Sequence, residues 1–227
     1  MSILRAVELE KIYQDKGIPV IALKDVNFGV EEGEFLAIAG PSGSGKTTLL
    51  NLLGGLDDPT SGKVYLGNTE LGSLNKNQLA EFRLRKIGFV FQAYNLIPVL
   101  TAEENVEFVM MLQGVISSER KKRVRRILEE LGIGDYAHRR PNKMSGGQQQ
   151  RVAVARAIVS EPLVVLADEP TANLDSKTGS LLLDLMADMN KKKGITFIFS
   201  SHDKMVMQRA RRLIILQDGK IVIDEVK

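Results

Sequence analysis

The sequence contains no cysteine. Disulfides and cysteine-based zinc sites are therefore excluded, and nothing in the composition points to an oxidising compartment. Long apolar runs are missing as well. Those present, such as Leu163–Ala167 and Leu213–Leu216, fall far short of the roughly 20 residues a membrane span needs. The opening MSILRAVELE has no apolar core of a secretory signal. Low-complexity tracts and internal repeats are absent too. A large excess of charge of one sign is lacking: 31 Lys and Arg against 28 Asp and Glu leave a net charge of +3, which permits contact with nucleic acid or anionic lipid without demanding either.

What is present is enough for a full core: 227 residues, 44% of them hydrophobic. Gly40 to Thr48 reads GPSGSGKTT. It follows a short apolar segment, Glu34–Ala39, and precedes a helical distribution of Leu49, Leu50, Leu52 and Leu53. A strand, a glycine-rich turn and a helix form the context of a phosphate-binding loop. Glycines let the backbone wrap closely around phosphate oxygens, and successive N–H groups at the helix start face the anion. In that pattern Gly40, Ser42, Gly43, Ser44, Gly45 and Thr48 line the phosphates, Lys46 reaches the β- and γ-phosphates, and Thr47 sits on Mg²⁺. The expected ligand is a nucleoside triphosphate.

Val7 and Leu9 alternating with Glu8 and Glu10, and Val26, Phe28 and Val30 with their neighbours, predict two early strands with Tyr13 between them. Further strands are expected at 63–66, 87–91, 163–167 and 195–200, and the segments 213–217 and 220–224 flank the hairpin signal Asp218-Gly219. Helices are expected at 75–85, from a capping box at Thr101 and Glu104 to Leu112, from Ser117 or Ser118 to a stop at Gly132, from Ser145, and over 176–192. The fold class is thus α/β: a mixed sheet around a phosphate loop, an antiparallel β part and an inserted helical region. One domain over 1–227 is expected, with 1–92 and 159–227 as nucleotide-binding core and 93–158 as helical subdomain.

Asp168-Glu169 directly follows the apolar strand 163–167. At the carboxyl end of a buried parallel strand, Asp168 can hold Mg²⁺ and Glu169 can orient or deprotonate a water. Met144-Ser-Gly-Gly-Gln148 opens an alanine-rich helix, a second N-terminus able to receive an anion. Together with the phosphate loop it resembles the signature of the ATP-binding cassette (ABC) superfamily, with methionine where leucine is commoner.

The resemblance runs through essentially the whole chain. It implies that Tyr13 stacks on adenine, that Gln92 is the Q-loop glutamine serving Mg²⁺ and its waters, that Asp175 belongs to the D-loop, and that His202 contacts the γ-phosphate. It further implies ATP and Mg²⁺ as ligands. A head-to-tail dimer follows, in which Ser145, Gly146, Gly147 and Gln148 of a second copy close over the ATP. An integral membrane permease is the implied partner, with the chain peripheral on the cytoplasmic face of the membrane, and no nucleic acid is expected.

Finer similarity is to the ATPase subunits of lipoprotein-release and macrolide-export systems, carried by LLNLLGGLDDPTSGKVYLGNTELGSL, RLRKIGFVFQAYNLIPVLTAEENV and PNKMSGGQQQRVAVARAI. The alternative is a soluble or cell-division ABC ATPase that does not energise transport. The stretch 92–107, apolar at Tyr94, Leu96, Ile97, Val99 and Leu100 around Pro98, is the expected docking surface for a permease helix. Arg120–Arg126, six basic residues in seven, reads as a solvated helix face, and His138 as surface.

Overall fold

The computed structural model describes residues 2–15 and 18–227. The chain begins with two long antiparallel strands, β1 (Ser2–Asp15) and β2 (Ile18–Glu31). They join β4 (Ser61–Leu66) and the short β5 (Thr69–Glu70) in a four-stranded antiparallel sheet of order β2-β1-β4-β5. A second, six-stranded sheet holds β3 (Phe35–Ala39), β6 (Ile87–Val90), β7 (Val164–Asp168), β8 (Thr196–Ser200), β9 (Arg212–Gln217) and β10 (Lys220–Val226). Its order is β10-β9-β3-β8-β7-β6. All neighbours in it pair parallel except β9 and β10, which form the Asp218-Gly219 hairpin.

The central strand β3 explains the layering. Its residues are all buried, and alternate side chains leave by opposite faces. Leu36 and Ile38 join the core formed by the antiparallel sheet and α1 (Lys46–Leu53), with Leu9, Val26 and Leu53. Phe35, Ala37 and Ala39 join the core on the helical side, where Phe35 packs on Phe197 and Phe199 at 5.7 and 4.6 Å between ring centres.

The helices follow their end signals. α2 (Lys76–Lys86), α3 (Ala102–Leu112) and α5 (Gly146–Ile158) each begin with a reciprocal capping box, at Asn75/Gln78, Thr101/Glu104 and Ser145/Gln148. α4 (Ser117–Glu130) buries Val124, Ile127 and Leu128 on one face. α3, α4 and α5 lie consecutively between β6 and β7, and Met110, Leu128 and Val152 share one core with Phe35. α6 (Ser176–Lys193) ends on Gly194, whose φ of 67° is left-handed. α7 (Lys204–Arg209) is a short helix that the sequence pattern did not indicate.

Two expectations about the first strand are corrected. Tyr13 lies inside β1, paired with Val20, rather than between two strands. Val7 does not share a face with Leu9: Leu9 is buried and Val7 exposed. The pairing shifts between Ala6 and Leu9, and Glu8 adopts φ 47°. This bulge inserts an extra residue and rotates Val7 outward, so strict alternation fails there. The basic run on α4 is partly tied down, with Arg120 paired to Glu107 at 2.7 Å and Arg123 to Glu119 at 2.6 Å. His138 is exposed and meets Glu103 at 2.7 Å.

Candidate functional site

Three adjacent parallel strands, β3, β8 and β7, end at the same edge of the sheet. The segments that leave them carry the titratable and phosphate-loop residues. After β3, Gly40, Gly43 and Gly45 take φ values of 154°, 79° and 101°. At Gly40 the need is also steric, since a Cβ there would stand 2.0 Å from the Leu216 carbonyl oxygen.

α1 then starts with Gly45 as a left-handed N-cap and no side-chain cap. The first amides of a helix have no partner within it, so here they are left for an anion. Lys46 is buried, and its Nζ donates to the Gly40 and Pro41 carbonyls at 2.9 Å each. Ser44 Oγ is buried without a hydrogen-bond partner. An unpaired buried hydroxyl beside a folded-back lysine and open helix amides fits a bound phosphate chain.

Thr47 Oγ1 donates to Asp168 Oδ1 at 3.2 Å, bringing together the ends of β3 and β7. A hydroxyl and one carboxylate suit Mg²⁺, which takes few protein ligands and completes its shell with phosphate oxygens and water. Among the described residues no cluster of three or more His, Cys, Asp or Glu could hold a metal alone.

Glu169, at the start of the turn after β7, has φ 44° and donates its backbone N–H to the Ser200 carbonyl at 2.9 Å. Its Oε1 lies 2.7 Å from His202 Nδ1, and its Oε2 accepts from Ser201 Oγ at 3.0 Å. Glu169 keeps 14% of its side-chain surface exposed and His202 66%, so the carboxylate is held inside while the imidazole fronts solvent. Ser201 is buried and also accepts from Asp203 N at 3.1 Å. Ser201 was not singled out from sequence, although the polar Ser200-Ser201 pair ending an apolar strand was the available signal.

Tyr13 is exposed beside the phosphate-loop helix. Its hydroxyl donates to Asp57 Oδ2 at 2.7 Å, and Lys11 Nζ stands 4.8 Å from the ring centre. Burial and the Asp57 contact raise its phenol pKa, while a contact with Thr48 opposes them. Gln92 is exposed, and its backbone carbonyl accepts from Asn173 Nδ2 at 2.9 Å. Its side chain makes no hydrogen bond to Thr47 or Asp168 among the described residues.

Among the described residues, the signature residues make no side-chain hydrogen bond to the phosphate loop of their own chain. Ser145 Oγ accepts from Gln148 N, and Gln148 Oε1 accepts from Ser145 N, closing the box at the head of α5. The glycines there answer a packing need. A Cβ on Gly147 would stand 2.3 Å from Thr178 Cγ2, and one on Gly146 would stand 2.8 Å from the Tyr94 hydroxyl. Asp175 caps α6 through Thr178 N and Oγ1 at 3.0 and 2.6 Å, bonds that hold its pKa below the usual value.

The loop from Gln92 to Leu100 is anchored by residues that the motifs do not contain. Asn105 is fully buried. Its Oδ1 accepts from Ile97 N at 2.7 Å, and its Nδ2 faces the Ile97, Leu100 and Thr101 carbonyls at 2.9 to 3.2 Å. Arg156 of α5 donates to the carbonyls of Tyr94 and Asn95, both at positive φ. A polar residue inside the apolar stripe Ala102, Val106, Met110 was the sequence signal for Asn105.

Within the expected docking stretch 92–107, Val99 is exposed and Asn95 lines a neighbouring groove. Leu96 packs against the main core. That groove lies between α2, β6, α3 and α5, with a volume of about 630 Å³ and walls including Leu56, Leu84, Phe91, Val109 and Leu112.

Residues 23–172 match the family model described as ABC transporter. An uncharacterised ABC transporter ATP-binding protein of Thermotoga maritima is 48% identical over 96% of this chain and 93% of its own length. The lipoprotein-releasing system ATP-binding protein LolD of Legionella pneumophila is 42% identical over 98% of both chains. The macrolide export ATP-binding/permease protein MacB of Brucella melitensis is 43% identical over 99% of this chain, which spans 35% of that longer protein. Among solved structures, a dimeric post-hydrolysis state of the ATP-binding cassette MJ0796 bound to ADP and Pi superposes with a TM-score of 0.91. It is 43% identical and 98% of both chains is covered.

Proposed function

The chain belongs to the ABC transporter family as an ATP-hydrolysing cassette, and from that premise we propose that it drives a separate membrane permease of the lipoprotein-release or macrolide-export type. The observation that carries the reading is the meeting of Lys46, Thr47, Asp168, Glu169 and His202 at one edge, behind three adjacent parallel strands. The division into a nucleotide-binding core, 1–92 and 159–227, and a helical subdomain, 93–158, belongs to the same reading.

In it, the glycine-rich loop, Ser42, Ser44, Thr48 and the open amides of α1 bind the ATP phosphates, with Lys46 as the cation on the β- and γ-phosphates. Tyr13 offers its ring to the adenine. Thr47, Asp168 and Gln92 would hold Mg²⁺ and its waters, and the ion would neutralise charge developing on the phosphates. Glu169, anchored by Ser201 and His202, orients the attacking water and accepts its proton. Among the described residues, Ser145 to Gln148 at the N-terminus of α5 make no side-chain hydrogen bond to the phosphate loop. A second copy supplies that N-terminus, head to tail, and Asp175 lies at the head of the helix against which Gly147 packs. The relative MJ0796, dimeric with ADP and Pi bound, supports the pairing of two copies.

Among the described residues no helix is long and apolar enough to cross a membrane. The permease therefore supplies the membrane attachment in this reading, with the chain peripheral on the cytoplasmic face. Its docking site is the groove between α2, β6, α3 and α5. The test is affinity purification of the tagged chain from solubilised membranes. An integral membrane protein should accompany it, and Leu84→Asp with Leu112→Asp should release that protein while ATP binding persists. Ribosomes or DNA in its place would refute the transporter reading.

A further inference from the structure

The charges lining the groove do not balance. Among the described residues its one acidic side chain, Glu81, is turned to Arg85 at 2.5 Å. Two guanidiniums line it as well, and both are engaged with backbone carbonyls rather than carboxylates. Arg83 Nη1 donates to the Gly55 carbonyl at 2.6 Å. Arg156 Nη1 and Nη2 donate to the Asn95 and Tyr94 carbonyls at 2.6 and 2.9 Å. Of the five N–H donors of a guanidinium, Arg156 therefore uses two. Burial lowers its pKa, and no acidic neighbour among the described residues acts against that shift.

A partner that covers this groove with apolar side chains also strips water from Arg156. Desolvating an unpaired cation is costly, whereas a carboxylate in bidentate contact offsets that cost. Leu84, Phe89, Phe91, Val109 and Leu112 offer the apolar wall against which one face of a helix can lie. Resting on the reading of this groove as the permease dock, we propose that the docking helix carries an aspartate or glutamate that pairs with Arg156 among otherwise apolar contacts. Charge complementarity selects this occupant over a purely apolar helix or a basic one, which would meet two cations. The pair also has a mechanical consequence. Arg156 grips two left-handed residues of the loop that begins at Gln92, so a carboxylate fixing the guanidinium ties the partner to that loop.

The absence of cysteine gives a clean experiment, because Leu112→Cys creates a single thiol at the groove. Membranes containing that variant are treated with a short thiol-to-amine crosslinker, and the joined peptide is sequenced by mass spectrometry. The expected result is a segment of an integral membrane protein with Asp or Glu within one helical turn of the contact point. Changing that acid to its amide leaves this chain untouched and should weaken co-purification about tenfold or more. Combining it with Arg156→Gln should add little to either change alone, the mark of a shared interaction. A crosslinked segment without an acid, an amide variant that associates within about twofold of wild type, or additive effects would overturn the pairing and leave the groove as the dock. No integral membrane protein joined at Leu112→Cys would overturn the docking site itself and the pairing with it.

Discussion

Ser201→Ala separates the positioning of Glu169 from its chemistry. Ser201 is buried and touches the site in one place: its Oγ donates to Glu169 Oε2 at 3.0 Å while accepting from Asp203 N at 3.1 Å. A hydrogen bond to a charged group contributes roughly 1.5–3 kcal/mol, and a neutral one about 1 kcal/mol. The variant should therefore lose about 2–4 kcal/mol of stability in urea unfolding. Glu169 would keep only its His202 contact at 2.7 Å as a side-chain anchor. Reduced alignment of the carboxylate with the attacking water should lower kcat about tenfold, equivalent to about 1.4 kcal/mol. KM for ATP should hardly change, because among the described residues Ser201 makes no side-chain hydrogen bond to the phosphate loop. A steady-state phosphate-release assay at saturating Mg-ATP, with folding checked by circular dichroism, gives both constants. A folded variant with kcat within about twofold of wild type would refute the positioning argument.

Other expectations are equally direct. Lys46→Ala removes the buried cation that lies over Gly40 and Pro41, and kcat should fall by about 10²–10³; isothermal titration should show weaker ATP binding, and near-normal turnover would disprove the phosphate-loop assignment. Asn105→Ala should cost about 3 kcal/mol in urea unfolding, since it leaves the Ile97 N–H and neighbouring carbonyls without their buried partner. Chelation by EDTA should abolish hydrolysis, and excess Mg²⁺ should restore it; turnover persisting in EDTA would exclude the role given to Thr47 and Asp168.

The parts legible in the sequence were those written in local chemistry. Gly40 to Thr48 specified a strand-turn-helix because its conformations depend on neighbours within a few residues. The Asp218-Gly219 hairpin and the Thr101/Glu104 box were legible for the same reason. The box at Asn75/Gln78 was overlooked because amides stand there where hydroxyl and carboxylate are commoner, although they make the same bonds. Long-range partnership was not legible. Nothing near Glu8 announces a bulge, and Arg156 reads as one more helix cation until α5 is set against the loop after β6. Apolar content in 94–100 likewise does not distinguish Leu96, which packs against the core, from Val99, which is exposed.

The central claim is that one copy supplies the phosphate loop and the other supplies the head of α5. Glu169→Gln preserves side-chain shape and removes the negative charge and the base, so ATP should persist between two copies. Light scattering on this variant should give a monomer without nucleotide or with ADP, and twice that mass at saturating Mg-ATP. Adding Ser145→Arg, which sets a bulky side chain where the opposing phosphate must lie, should return it to monomer. A Glu169→Gln protein that binds ATP at saturation yet keeps the monomer mass would contradict the composite site.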